Sequence, residues 1–154
     1  MTVFQKIPAP TDFSGRSRRA IAFAAEQARL NNAELHLFHS VTSDIVGHPM
    51  DAAVAIPVSD EMMNEARKSL LRFPETGAEV NQSKCSGLEI VRMVQQESPE
   101  IQIVDYARKH QIDLIVLATH ARSGVERLLM GSTAEAILRH SPCPLLIVPP
   151  PGNE

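Results

Sequence analysis

The sequence predicts one doubly wound α/β domain. Short β-branched or apolar runs alternate with longer stretches of helical spacing, the signature of βαβ units around a parallel sheet. One of those runs, Asp113–Ala118, is apolar almost throughout, as an inner strand covered on both faces must be. The length of 154 residues suits one ordinary domain with its own core, with no sign of a second domain or a repeat.

The elements follow in order. Val3–Ala9 reads as the first strand, although Pro8 stands where an inner strand needs a backbone donor, so an early end near Ile7 or a bulge is expected. Thr11–Ser14 is a turn, with Ser14 placed to cap a helix whose Ile21, Ala24, Ala25 and Ala28 share one face. Asn31-Asn32 stops that helix. Glu34–Val41 is the second strand, alternating Leu35, Leu37 and Val41 with His36, Phe38 and Ser40. Thr42–Val58, with Gly47, Pro49 and Pro57, reads as a long loop. A helix from Glu61 to about Phe73 follows, started by Ser59 or Asp60 and ended by Pro74 and Gly77. Ala78–Gly87 carries no clear pattern, and Leu88–Val94 is the third strand. Ser98-Pro99-Glu100 opens a helix: serine caps, proline at the first position loses no bond, and glutamate complements the dipole. Asp113–Ala118 is the fourth strand, Ser132–His140 the last helix and Leu145–Val148 the fifth strand.

Composition narrows the function. Fifteen basic against 18 acidic side chains leave a net charge of −3, which does not suit a nucleic-acid binder. The absence of tryptophan and an aromatic content of 4% argue against stacking platforms for single strands. No apolar run reaches the roughly 18 residues of a membrane helix, and Met1–Pro10 lacks the pattern of a signal peptide, so no membrane association is expected. Two cysteines, Cys85 and Cys143, make no disulfide framework, and a reduced cytoplasmic setting is expected.

In such sheets ligands sit beyond the carboxyl ends of the strands, which directs attention to Ala9–Ser14, Ser40–Val58 and Ala118–Ser132. In the last of these, a buried strand leads through a loop into Gly131-Ser132-Thr133 at a helix start. Free backbone N–H groups there would suit a phosphate. Ser132 and Glu135 also have the S-x-x-E spacing of a capping box, which would occupy the same N–H groups. Arg16, Arg18 and Arg19 crowd the start of the first helix, against its dipole, as either anion ligands or solvated surface charges. Other chemistry is not expected. His36 and His39 face opposite ways on a strand and cannot share a metal, His120 and His140 lack partners at ligand spacing, and neither Ser123 nor Ser132 lies in G-x-S-x-G. Cys143, between two prolines, reads as a small buried residue.

The stretch from Asp113 through Ala118-Thr-His-Ala-Arg-Ser-Gly, with Leu129-Met-Gly-Ser-Thr-Ala-Glu and Ser141-Pro-Cys-Pro-Leu-Leu-Ile-Val, resembles the carboxy-terminal half of the universal stress protein family. Pro10–Ser14, Ser17–Ala20 and Pro99–Ala107 resemble its other segments, and the likeness covers nearly the whole chain, weakest from Thr42 to Gln96. The resemblance implies an adenine-nucleotide α-hydrolase-like fold: a five-stranded parallel sheet of order 3-2-1-4-5 flanked by four helices. It also implies a homodimer through the last strand, Pro144–Val148, and ATP, with Mg or Mn held by the phosphates. Pro10, Thr11 and Asp12 would line the base and ribose, Val41 would present backbone to adenine, and Leu117 and Ala118 would pack nearby. Ala121, Gly131, Ser132 and Thr133 would meet the phosphates, with Arg122 on the same loop. The family's nucleotide pattern has two glycines separated by two residues, then nine residues, then glycine and a hydroxyl residue. Here the spacing is kept but Ala118 and Ala121 replace the first two glycines. If either position needed positive φ, alanine would cost about 1 kcal/mol. No catalytic residue and no metal ligand are expected, with at most slow ATP hydrolysis. The alternative is a nucleotide-free dimeric scaffold for protein interactions.

Overall fold

The computed structural model describes residues 3–46, 54–73, 85–119 and 131–150. Within them the chain runs β1 (Lys6–Pro10), α1 (Gly15–Asn31), β2 (Glu34–Val41), β3 (Asp44–Val46), β4 (Val54–Ile56), α2 (Asp60–Arg72), β5 (Ile90–Gln96), α3 (Pro99–Lys109), β6 (Ile115–Ala118), α4 (Ser132–His140) and β7 (Leu145–Val148). The fold is α/β, as the alternation predicts. Parallel ladders join β1 to β2, β2 to β5, and β6 to β7.

The three-stranded and two-stranded ladders lie side by side, β1 against β6, with the Asp113 N–H donating to Lys6 O at 3.3 Å. The break between them has a cause in the sequence. Gln5 O accepts from Glu34 N and Thr11 N donates to Phe38 O, so the odd-numbered backbone groups of β1 serve β2. The even-numbered groups face β6, and two of these residues are Pro8 and Pro10, which have no N–H. β1 can accept from β6 there but cannot donate. Pro8 therefore neither ends the strand nor bulges it, contrary to expectation: β1 pairs continuously with β2 from Lys6 to Pro10. The donors missing from β1 are missing only on its other side.

Helix boundaries obey local chemistry. Ser14 Oγ accepts from Ser17 N, and Asn32 ends α1 in the left-handed region at φ 54°, where asparagine is tolerated. Ser59 caps α2 through Met62 N. At α3, Pro99 does take the first turn, but the Ser98 hydroxyl makes no capping bond and is buried without a partner among the described residues. Two further expectations need correction. The segment Thr42–Val58 is not simply a loop, because β3 and β4 pair within it as a short antiparallel ribbon. The third strand begins at Ile90, two residues later than expected, which leaves the same side chains on each face. Ala78–Lys84 lies outside the described residues.

Two cores cover the two faces. On one, the fully buried Ile7, Ala20, Ile21, Ala24, Ala25 and Ala28 bring α1 onto β1 and β6, the alanines allowing close approach. On the other, Phe38, Ile103, Tyr106, Ile115, Leu117 and Ile137 join α3 and α4 to the sheet. The carboxyl ends of β1, β2 and β6 and the starts of α1 and α4 are left around one crevice.

Candidate functional site

The β1–α1 turn is built around Thr11. Its N–H bonds to Phe38 O at 2.7 Å, its hydroxyl accepts from Phe13 N at 2.9 Å, and the Ser17 hydroxyl lies 2.9 Å away. Ser17 in turn donates to Ser14 O, so the Thr11 proton goes to Ser17. Phe13 occupies the left-handed region at φ 63°, a conformation costing a β-carbon-bearing residue about 1–2 kcal/mol. Its ring packs edge-on to Phe73 at 5.6 Å and against His39 at 4.3 Å, which offsets that cost. The turn thereby presents Asp12 outward, where its carboxylate accepts from the Ser14 N–H at 2.9 Å and from the Ser14 hydroxyl. Burial raises the Asp12 pKa, but the hydrogen bonds from Ser14 and Ser17 outweigh it, and the net shift is below the ordinary carboxylate value.

These elements enclose a cavity of about 710 Å³, within the range of small-molecule sites. Of the residues singled out from the sequence, Pro10, Thr11, Asp12, Leu117, Ala118, Gly131, Ser132 and Thr133 line it, although Pro10 and Gly131 are 121 positions apart. Ala121 and Arg122 lie outside the described residues. Val41 is buried and does not line the cavity; Phe38, His39 and Ser40, just before it on β2, do. The three arginines at the start of α1 part company. Arg16 lines the cavity, while the Arg18 guanidinium lies 4.4 Å above the Phe73 ring.

The helix start at α4 differs from the capping box that the spacing suggested. Gly131, not Ser132, is the N-cap, and no side chain among the described residues bonds to the first turn. Ser132 already belongs to the helix. Glu135 faces Arg139, one turn on, and accepts from it at 2.7 Å, so it does not reach back to the cap. The first N–H groups of α4 are thus free of the competitor that sequence spacing allowed, at the edge of the cavity. Ala118 is not among the residues at positive φ; it ends β6 in extended conformation. Its methyl therefore carries no backbone strain, only the crowding of one carbon.

Among the described residues no group of three or more His, Cys, Asp or Glu side chains converges as a metal site. Burial pushes the Cys143 thiol up, the main influence on it, which keeps it in the protonated and unreactive form. Sequence reasoning named neither His39 nor Ser40 among the nucleotide-site residues, although Ser40 opens one of the segments it singled out. The available signal was their position at the carboxyl end of β2, where ligands of such sheets gather.

The family model for the universal stress protein family matches residues 4–149. The universal stress protein MJ0531 of Methanocaldococcus jannaschii is 31% identical over 153 residues, covering 99% of this chain and 86% of its own. Among solved structures, a universal stress protein in complex with cAMP superposes with a TM-score of 0.67 at 22% identity, covering 96% of this chain and 98% of that one. The universal stress protein of Archaeoglobus fulgidus in complex with dAMP gives 0.65 at 23%, covering 95% and 98%. The segment that the sequence pattern left weakest, Thr42–Gln96, falls inside the matched span. The chain belongs to the universal stress protein family.

Proposed function

We propose that this chain is a cytoplasmic regulatory module that binds ATP, works as a homodimer and performs no robust catalysis. The observation that carries the reading is the start of α4: a helix N-terminus capped by Gly131 with no side chain bonded to it among the described residues, opening on a cavity of about 710 Å³. The adenine nucleotides bound by the structural neighbours support the same ligand class. In this reading the Gly131–Thr133 amides and the Thr133 hydroxyl hold phosphate, Arg16 adds positive charge, and Asp12 accepts from ribose hydroxyls. A magnesium or manganese ion, if bound, is held by the phosphates. In this reading Asp12 is engaged by the ribose and His39 lies at the β2 end of the cavity, away from the phosphates at α4, so binding without turnover is expected.

The dimer reading rests on β7. Its one partner among the described residues is β6, so its outer edge is an unpaired row of backbone groups along an apolar run. Antiparallel pairing of Pro144–Val148 with a second copy satisfies that edge.

The test is calorimetric titration of ATP into protein stripped of carried-over ligand. Saturable binding well below millimolar is expected. A dissociation constant of about 1 mM or weaker, some −4 kcal/mol, rejects the nucleotide reading in favour of the ligand-free scaffold. Light scattering at micromolar concentration should give twice the monomer mass, and a monomer there refutes the pairing of β7.

A further inference from the structure

β5 and β7 stand at opposite ends of the five parallel strands. β5 is the longer, seven residues from Ile90 to Gln96, and among the described residues it pairs with β2 alone. The register decides which of its backbone groups are engaged. The Leu35 N–H donates to Glu89 O, so the odd-numbered groups of β5 turn to β2. The N–H and C=O groups of Ile90, Arg92, Val94 and Gln96 turn outward, along an edge with no ladder partner among the described residues.

Along that edge runs a groove of about 440 Å³ between β5 and α2. Arg67, Leu70 and Leu71, at i, i+3 and i+4 on α2, form one wall, and Arg92, Met93 and Val94 form the other. Arg92 fixes the two walls together: its guanidinium donates to Leu70 O at 3.1 Å and Phe73 O at 3.2 Å, carbonyls left over at the end of α2. Leu71 is 65% exposed, an apolar side chain held out at the rim. Neither Arg67 nor Arg92 has a carboxylate in an ion pair among the described residues, in a chain whose net charge is −3. The groove therefore joins positive charge and an apolar rim to a row of unused backbone donors and acceptors.

We propose that the β5 edge docks an extended acidic segment of a partner protein, which adds to the sheet as a further strand. The backbone of the segment completes the outward groups of Arg92 and Val94. On the face toward α2, an acidic and an apolar side chain two positions apart meet Arg67 and Leu71. A second copy of this chain does not suit the edge. Pairing β5 with itself about a two-fold axis sets Arg67 and Arg92 of each copy against the same pair, and like charges there repel. Charge of this kind protects an open edge from its own copies, and an acidic strand is what it admits. No residue of the groove lines the nucleotide cavity, so the proposal does not rest on the nucleotide reading.

Selection from a random-peptide phage library against the full chain is the test. Peptides with an acidic and an apolar residue two positions apart, and no proline between them, should be enriched. A synthetic copy of the leading peptide should bind in titration and weaken with added salt. Arg67→Glu, at an exposed position of α2, should weaken it at least about tenfold with little change in thermal unfolding. The bound peptide should slow amide hydrogen exchange at Arg92 and Val94, and N-methylation of its backbone should abolish binding. Absence of enrichment overturns the proposal, as do enrichment of basic peptides and equal binding to Arg67→Glu. Displacement of the peptide by ATP moves it to the cavity and overturns the edge site. Arg92 and Val94 amides already protected in the protein alone overturn it too. The edge is then covered by the chain itself or, where light scattering gives a mass above the dimer, by a second copy.

Discussion

His36 and His39 stand three residues apart on β2, yet one is sealed and the other is open. His36 is 4% exposed, and each ring nitrogen has a partner: Nε2 donates to the Glu34 carboxylate at 3.0 Å, and Nδ1 accepts from the Tyr106 hydroxyl at 2.6 Å. His39 has one hydrogen-bond partner among the described residues, Thr11 O, packs against the Phe13 ring and borders the cavity. The same division separates the two ends of the sheet. At the amino end, Asp113 accepts from both Gln5 N and Lys6 N and stitches the chain start to β6. At the carboxyl end, Asp12 binds the turn that presents it and the first turn of α1, and the α4 amides meet no side-chain cap among the described residues. A polar group whose bonds are all made within the protein adds stability. One whose capacity is left over adds binding, at some expense of stability.

Three substitutions break or sharpen that contrast. The largest effect belongs to the sealed end. His36→Ala leaves the Tyr106 hydroxyl and the Glu34 carboxylate without their partner and opens a small void, at a loss of about 2–4 kcal/mol in chemical denaturation, with ATP affinity of the folded protein unchanged. The same residue sets a pH limb. Burial, opposed only in part by Glu34, lowers the His36 pKa below its ordinary value. The unfolded chain therefore takes up this proton more readily than the folded one. Stability should be full above about pH 6.5 and fall as the pH drops from there toward the lower folded value, and His36→Ala should flatten that limb.

Asp12→Asn tests the open end. The amide oxygen still accepts from Ser14 N, so stability should change by less than about 0.5 kcal/mol, while ATP binding weakens about five- to tenfold in titration. A variant that loses stability but not affinity reverses the contrast. The smallest effect is at Ala118→Gly. Because Ala118 is extended, removing the methyl relieves crowding and no strain, so affinity should rise by about threefold at most, with about 0.5–1 kcal/mol of stability lost to the added backbone freedom. A gain of tenfold or more would show that the methyl, and not the backbone, limits the site.

Much of the molecule was readable before any coordinates. Ser14, Ser59 and Asn32 act on their own turns through bonds spanning three or four residues, and Pro99 through its fixed φ, so their effect is written in the neighbouring sequence. The apolar run ending in Leu117-Ala118 reports burial directly, because only an inner strand covered on both faces tolerates it. Eight of the residues singled out for the nucleotide converge on one cavity, because they mark the carboxyl ends of strands that a parallel sheet must bring to one side.

Other features depended on partners far along the chain. Whether Pro8 interrupts β1 turned on which neighbour its missing N–H faces. Whether Ser132 and Glu135 close on each other turned on where the helix begins and on Arg139. The different fates of His36 and His39 turned on Tyr106, seventy residues from one, and on Thr11, twenty-eight from the other. Sequence alone determined the described helices and the strands of the parallel sheet, though not the β3–β4 ribbon or the start of β5, since those elements follow from neighbours within a turn or two. The tertiary structure decided which polar groups have their hydrogen bonds completed and which do not, because a hydrogen bond is satisfied by proximity in space, whatever the distance along the chain.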